Sequence, residues 1–202
     1  MEKKLVETQE NILIAARQIF ATKGYAGARM QEIADNAGIN KALLHYYYKN
    51  KDKLFEQIFQ EALVKILRPL AAFLADDSEL FQKIRNISHV YHEVLIEYPF
   101  LPNFILNEVN TDPTRVLHLM NTEGVLAGRE KTFQQIEEAV KSGKIRPINP
   151  AELILNIISL SMFPFASRPI AQELMFKGVD MDAMFKERAD QVADFVIQSI
   201  KL

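Results

Sequence analysis

Apolar residues along this chain recur at helical spacing, and no segment keeps up the period-two alternation of a half-buried strand. Ile12, Ala15, Ala16, Ile19 and Phe20 share one side of a first helix, with Thr8 expected as its N-cap. Lys23 suits the last turn, and Gly24 the left-handed position after it. A short second helix is expected over 29–36, with Ile33 and Ala34 inward. Gly38 then permits a tight turn, Asn40 caps a third helix, and Asn50 caps a fourth that starts at Lys51 and runs towards Pro69.

Longer amphipathic segments follow. One comes after Ser78, carries Leu80, Ile84, Ile87, Tyr91 and Val94, and stops near Pro99; a short one follows Pro102. Another opens at Asp112-Pro113 and ends at Lys141-Ser-Gly143. Asn149-Pro150-Ala-Glu152 reads as the start of a strongly apolar helix, and a last helix covers about 181–200. The expected fold is all-α, with about nine helices.

Composition narrows the function. With no cysteine, a disulfide framework, a zinc-thiolate site and a Cys nucleophile are excluded. The charged opening MEKKLVETQE has no apolar core, so no secretory leader is expected. The longest apolar run, 151–166, is too short to span a bilayer. A cytoplasmic protein with no membrane partner is therefore expected. The net charge of −2 conceals an asymmetry. Residues 1–55 hold nine basic and six acidic side chains, a net of +3, and the rest of the chain carries −5. A basic head on an acidic body suits a polyanionic partner.

The stretch NKALLHYYYKNKDKL, 40–54, holds the most distinctive chemistry. A helix turns about 100° per residue, so consecutive rings fan out around it and cannot all be buried. Two short helices joined by a Gly-containing turn make a helix-turn-helix unit. Leu44 and Tyr48, four apart, pack back against the first of them, while Lys41 and His45 lie on another face flanked by Tyr46 and Tyr47. Lys and His can donate to guanine edges, and Tyr hydroxyls can reach phosphates or bases. Lys51 at a helix N-terminus opposes the dipole and suits a phosphate contact.

Residues 8–55, with ILIAARQIFATKGY and MQEIADNAGINKALLHYYYKNKDKLF, resemble the tetracycline-repressor (TetR) family of transcriptional regulators. The resemblance implies an all-helical homodimer. Its parts would be a DNA-binding head, residues 1–50, and a ligand-sensing and dimerisation body, residues 51–202. The implied activity is repression from a palindromic double-stranded operator, relieved by a small apolar or aromatic effector. Arg29, Asn40, Lys41, Leu43, His45, Tyr46, Tyr47 and Lys51 are the expected DNA contacts. Departures from the family pattern are Ala28 where a capping Thr is common, with Arg29 beside it as a substitute phosphate contact, His45 in place of Tyr, and Leu43 in place of Thr. Leu43 can touch a thymine methyl.

The body is less explicit. Tyr91, Phe100, Phe104, His118, Met120 and Phe163 are candidates to line an effector pocket, with His118 facing inward. His89 and His92 read as exposed surface groups, and no metal or cofactor is expected. Gly124 and Gly128 are costly inside a helix and suggest close approach by a neighbour. The last helix is apolar over roughly 200° of its circumference, more than a one-sided surface helix needs. Leu153, Ile157 and Leu160, with Ala189, Ala193, Ile197 and Ile200, are therefore expected to form a two-fold, four-helix dimer interface. No Ser-His-Asp order, phosphate loop or polar carboxylate pair suggests an enzyme. A helical adaptor that binds only protein stays open as the alternative.

Overall fold

A computed structural model describes the backbone of residues 2–202 and the side chains of residues 5–202. Eleven helices are found among the described residues: α1 (Glu2–Gly27), α2 (Met30–Asn36), α3 (Lys41–Tyr47), α4 (Lys51–Ala75), α5 (Leu80–Glu97), α6 (Leu101–Thr111), α7 (Thr114–Thr122), α8 (Val125–Lys141), α9 (Pro150–Ala166), α10 (Arg168–Leu174) and α11 (Met181–Ile200). Among the described residues an isolated antiparallel bridge, Ile145 to Lys201, is the nearest approach to a strand. The chain forms two compact units, Met1–Leu63 and Val64–Leu202. The division between them falls inside α4 rather than at its start.

The first unit is built on α1, whose Ile12, Ala15, Ala16 and Phe20 are buried. Thr8 does not cap this helix, which begins at Glu2 and runs through it. Gly24, at φ 66, breaks the helical path before the last turn, as its freedom at positive φ allows. Phe20, Tyr25 and Phe55 pack edge-on or stacked, with centroids 4.9–6.2 Å apart, and join α1 to the beginning of α4.

In the second unit α5 is the central element, packed by α11 and α9, which also contact each other. Phe165 stacks on Phe185 at 4.1 Å, whereas Arg146, just before α9, donates its N–H to the Ile200 carbonyl at the end of α11. Helices α9 and α11 are therefore antiparallel. This arrangement corrects the expected dimer face. Leu153, Ile157, Ala189, Ala193, Ile197 and Ile200 are buried within one chain, and Leu160 is half-buried. In the single chain these positions are taken up by its own core. The large apolar residues that do point outward are Leu155 and Phe163 on α9 and Phe195 on α11, each more than 60% exposed.

Gly124 and the added α10 account for the two helices beyond the expected nine, and Pro69 changes only the length of α4. Helix α4 does not stop near Pro69 but continues to Ala75, because Leu70, Ala71 and Leu74 beyond it are buried. Burial outweighs the one backbone bond the proline ring removes. The single helix expected over 113–141 is two, since Gly124 at φ 82 turns the chain between α7 and α8. Gly128 is the close-approach glycine: a Cβ there would meet Leu74 Cβ at 2.8 Å and the Ala71 carbonyl oxygen at 3.1 Å. Helix α10 was not foreseen; Pro169 sits at its start and Ser167 ends α9 just before it. Among the described residues no single helix is long and apolar enough to cross a membrane.

Candidate nucleic-acid interface

The turn between α2 and α3 is set by its backbone bonds. Ala37 ends α2, Gly38 takes φ 67, and two reversed bonds close the helix: Gly38 N–H to the Asp35 carbonyl (3.1 Å) and Ile39 N–H to the Ala34 carbonyl (3.0 Å). This is a Schellman termination, which needs a residue at positive φ and so favours glycine. Asn40 then accepts from the Leu43 N–H at 2.8 Å and starts α3. Asn40 is exposed, but its oxygen is already used as a cap. Arg29, the N-cap of α2, makes no side-chain cap, in keeping with Ala28 standing where a capping hydroxyl would be.

Helix α3 divides cleanly between inside and outside. Leu44 is fully buried and Tyr48 nearly so, the Tyr48 hydroxyl accepting from Gln9 Nε2 at 3.3 Å. Lys41, Ala42, Leu43, His45 and Tyr46 are exposed, and Tyr46 presents 78% of its surface. Tyr47 differs from the expectation: it is half-buried, and its hydroxyl donates to the Leu5 carbonyl at 3.3 Å, so its ring props α3 against α1. Tyr46 meets the Tyr47 ring edge-on at 5.6 Å, which holds an outward aromatic ring in a defined position. Among the described residues Arg29, Lys41 and Lys49 have no ion-pair partner, whereas Lys23 and Lys53 are tied to Glu32 and Glu56 at 3.0 and 2.8 Å.

Two of the expected DNA contacts already hold partners inside the chain. His45 Nδ1 lies 3.1 Å from the Lys49 carbonyl. A carbonyl only accepts, so Nδ1 is the donor in this contact and Nε2 is left for another partner. Lys51 does not reach out towards a phosphate. Its Nζ donates to the Tyr25 carbonyl (2.8 Å) and the Ala28 carbonyl (3.2 Å), and lies 4.4 Å from the centre of the Tyr25 ring. The Tyr25 hydroxyl in turn donates to Asp52. Its pKa is pushed up to about 12, first by that bond and then by burial and the Asp52 charge. The bulky cation is thus drawn inward by the loose carbonyls that the Gly24 break leaves at the end of α1.

The geometry is that of a helix-turn-helix with a basic, aromatic outer face. The family model for bacterial regulatory proteins of the tetR family matches residues 12–58, the stretch that holds α2, the turn and α3. The transcriptional repressor AcnR of Corynebacterium jeikeium is 30% identical over 185 residues, 92% of this chain and 93% of that protein. The chain belongs to the tetR family of bacterial regulatory proteins. It is a DNA-binding transcriptional regulator, a class whose members are not enzymes. The regulator RutR of Escherichia coli K12 is also similar, 27% identical over 190 residues, 94% of this chain and 89% of RutR. For the fold, a putative tetR-family regulator from Mesorhizobium loti superimposes with a TM-score of 0.56 at 18% identity, covering 98% of both chains.

The expected effector residues of this tetR-family chain differ in exposure. Tyr91 is buried, and burial pushes its pKa up to about 12. Phe100 and Phe104 are half-buried, and Phe100 packs edge-on to Tyr98 at 6.1 Å. His118 is exposed rather than inward, and Met120 is half-buried beside it on α7. Phe163 lines an apolar groove that none of the other five reaches. The histidines of α5 also part company. His89 is exposed and pairs with Asp190 at 3.0 Å, but His92 is 2% exposed, donates from Nδ1 to the Ser88 carbonyl at 2.8 Å and meets Phe165 edge-on. Sequence position misjudged His92 because α9 and α11 cover a wider arc of α5 than its own apolar stripe indicated.

Proposed function

We propose that this tetR-family regulator is a repressor that binds a palindromic operator as a homodimer and is released by a small apolar or aromatic effector. The observation that carries this reading is the outer face of α3: Lys41, Leu43, His45 and Tyr46 are exposed together, with Leu44 and Tyr48 buried behind them. Side chains on a helix seven residues long cover about 10 Å, a length that suits one half-site in a major groove. Lys41 donates to guanine acceptors, and Leu43 meets a thymine methyl. His45, with Nδ1 taken by the Lys49 carbonyl, has Nε2 left to meet a base edge. The unpaired Arg29 and Lys49 supply the phosphate contacts, a role that Lys51 does not fill.

The dimer reading rests on the outward apolar residues of the antiparallel pair, Leu155 on α9 and Phe195 on α11. Each lies ten residues beyond the Phe165–Phe185 stack, so they stand at a similar height, roughly 15 Å along the pair. A self-complementary contact there would generate two α3 helices related by a two-fold axis, as a palindrome requires. The related AcnR bears the name of a repressor, which supports repression here. A footprint on the DNA flanking the chain's own gene, read with and without candidate effectors, is the test. A symmetric protected site about two half-sites wide is expected, and protection that is indifferent to sequence would overturn the proposal.

A further inference from the structure

A groove of about 300 Å³ lies on the second unit where the end of α9, all of α10 and the start of α11 meet. Phe163, Ile170, Leu174, Met175 and Met184 give it an apolar wall, and several of these are exposed far beyond the norm for such residues, Leu174 at 71% and Met175 at 75%. Of the lining residues only Arg188 is ionisable. Its Nε is buried and has no hydrogen-bond partner, and no acid pairs with its guanidinium among the described residues. Arg168 shows the contrast: it lies over the Phe185 ring and is paired with Asp182 at 2.8 Å. An arginine left without a counter-ion, half out of water, is an expensive arrangement unless an anion completes it.

We propose that this groove binds a small apolar molecule carrying one carboxylate, with the carboxylate on Arg188 and the tail against Phe163, Ile170, Leu174 and Met175. Charge complementarity selects the head, because a planar guanidinium matches a carboxylate in a bidentate pair. The lining selects the tail, since it offers little for a polar chain to bond. The volume is at the low end for small-molecule sites, which limits the ligand to a short chain or a single ring. The site lies at the opposite end of the α9–α11 pair from Leu155 and Phe195, so occupation bears on the same helix pair as the proposed dimer. Its effect on DNA rests on the effector reading given above; the binding itself does not.

Calorimetry with octanoate and octanol tests it on the full chain. Octanoate is expected to bind with at least about tenfold preference over octanol, as a charged hydrogen-bonded pair provides. Arg188→Gln should abolish that preference and leave octanol unaffected, whereas Arg188→Lys should keep part of it. Leu174→Gln should weaken both. A readout that needs no substitution is His92, which burial and, in addition, the nearby Arg188 charge hold below the ordinary histidine range. Octanoate, but not octanol, should raise its titration midpoint when followed by NMR. Equal binding of acid and alcohol, no binding of either, or an unmoved His92 on saturation with octanoate would overturn the site. If octanoate binds through Arg188 and operator affinity does not change, the effector reading fails and the site stands. If other small molecules release the operator while octanoate does not bind, the reverse holds.

Discussion

The Lys51 ammonium donates to the Tyr25 carbonyl at 2.8 Å and so pins the end of α1 to the start of α4. The charge that sequence alone would offer to DNA is thereby spent inside the head. Lys51→Ala is expected to lower stability by about 1–2 kcal/mol, since two carbonyls lose a charged donor and the Tyr25 ring loses a cation. The salt slope of DNA binding should stay unchanged. Arg29→Ala should do the opposite, lowering that slope by about one and leaving the melting temperature alone. Thermal melts beside binding isotherms at several salt concentrations check the pair.

Gly128 puts two effects in competition. Alanine is favoured over glycine inside a helix by about 1 kcal/mol. A Cβ here, however, would sit 2.8 Å from Leu74 Cβ and within 3.2 Å of α4 backbone, which has little freedom to move. Overpacking of this kind costs about 1–3 kcal/mol, so Gly128→Ala should be destabilising on balance. Urea denaturation decides the sign; a more stable variant would show that α4 and α8 yield easily.

His92 should give the protein a histidine-dependent loss of stability in mild acid. Burial first, and then the charges of Arg188 and His89, hold its folded pKa below the ordinary 6.5. The unfolded chain therefore takes up a proton that the folded chain refuses. Stability is full above about pH 6.5 and declines as pH falls from there towards the folded value. His92→Phe should flatten this part of the profile. Denaturant titrations at a series of pH values, for both proteins, measure it.

Association is expected to depend on Leu155 and Phe195 rather than on the buried stripe. Phe195→Glu should give folded monomers, because its side chain is 66% exposed in the single chain. Ala193→Asp should instead unfold the second unit, since position 193 is fully buried and an unpaired carboxylate there is costly. Sedimentation and circular dichroism separate the two outcomes.

The helices, their turns and the helix-turn-helix were legible because each carries a local signal. Asn40 and Asn149 cap where their sequence contexts place them, and Gly38 turns where a positive φ is required. What escaped was tertiary. Nothing local tells that Lys51 would find the loose carbonyls at Tyr25 and Ala28, or that Ala193 and Ile197 would be buried within one chain. The length of α4 past Pro69 is likewise decided by partners far along the chain: Lys83 and Thr132 both donate to the Leu74 carbonyl, at 3.2 and 2.9 Å. In sequence Arg188 looks no different from Lys186, which also interrupts the apolar arc of the last helix near its start; its unbonded Nε is visible only in three dimensions.

The central claim is that the outer face of α3 reads base sequence. Its most direct measurement is the ratio of operator to random-duplex affinity, at one salt concentration, for the unmodified protein and for Lys41→Ala and His45→Ala. Each substitution is expected to cost about 1–3 kcal/mol on the operator and far less on random DNA, so the ratio should collapse while the fold is kept. A ratio left intact in both variants would contradict the account and return the exposed Tyr46 face to a protein-binding role.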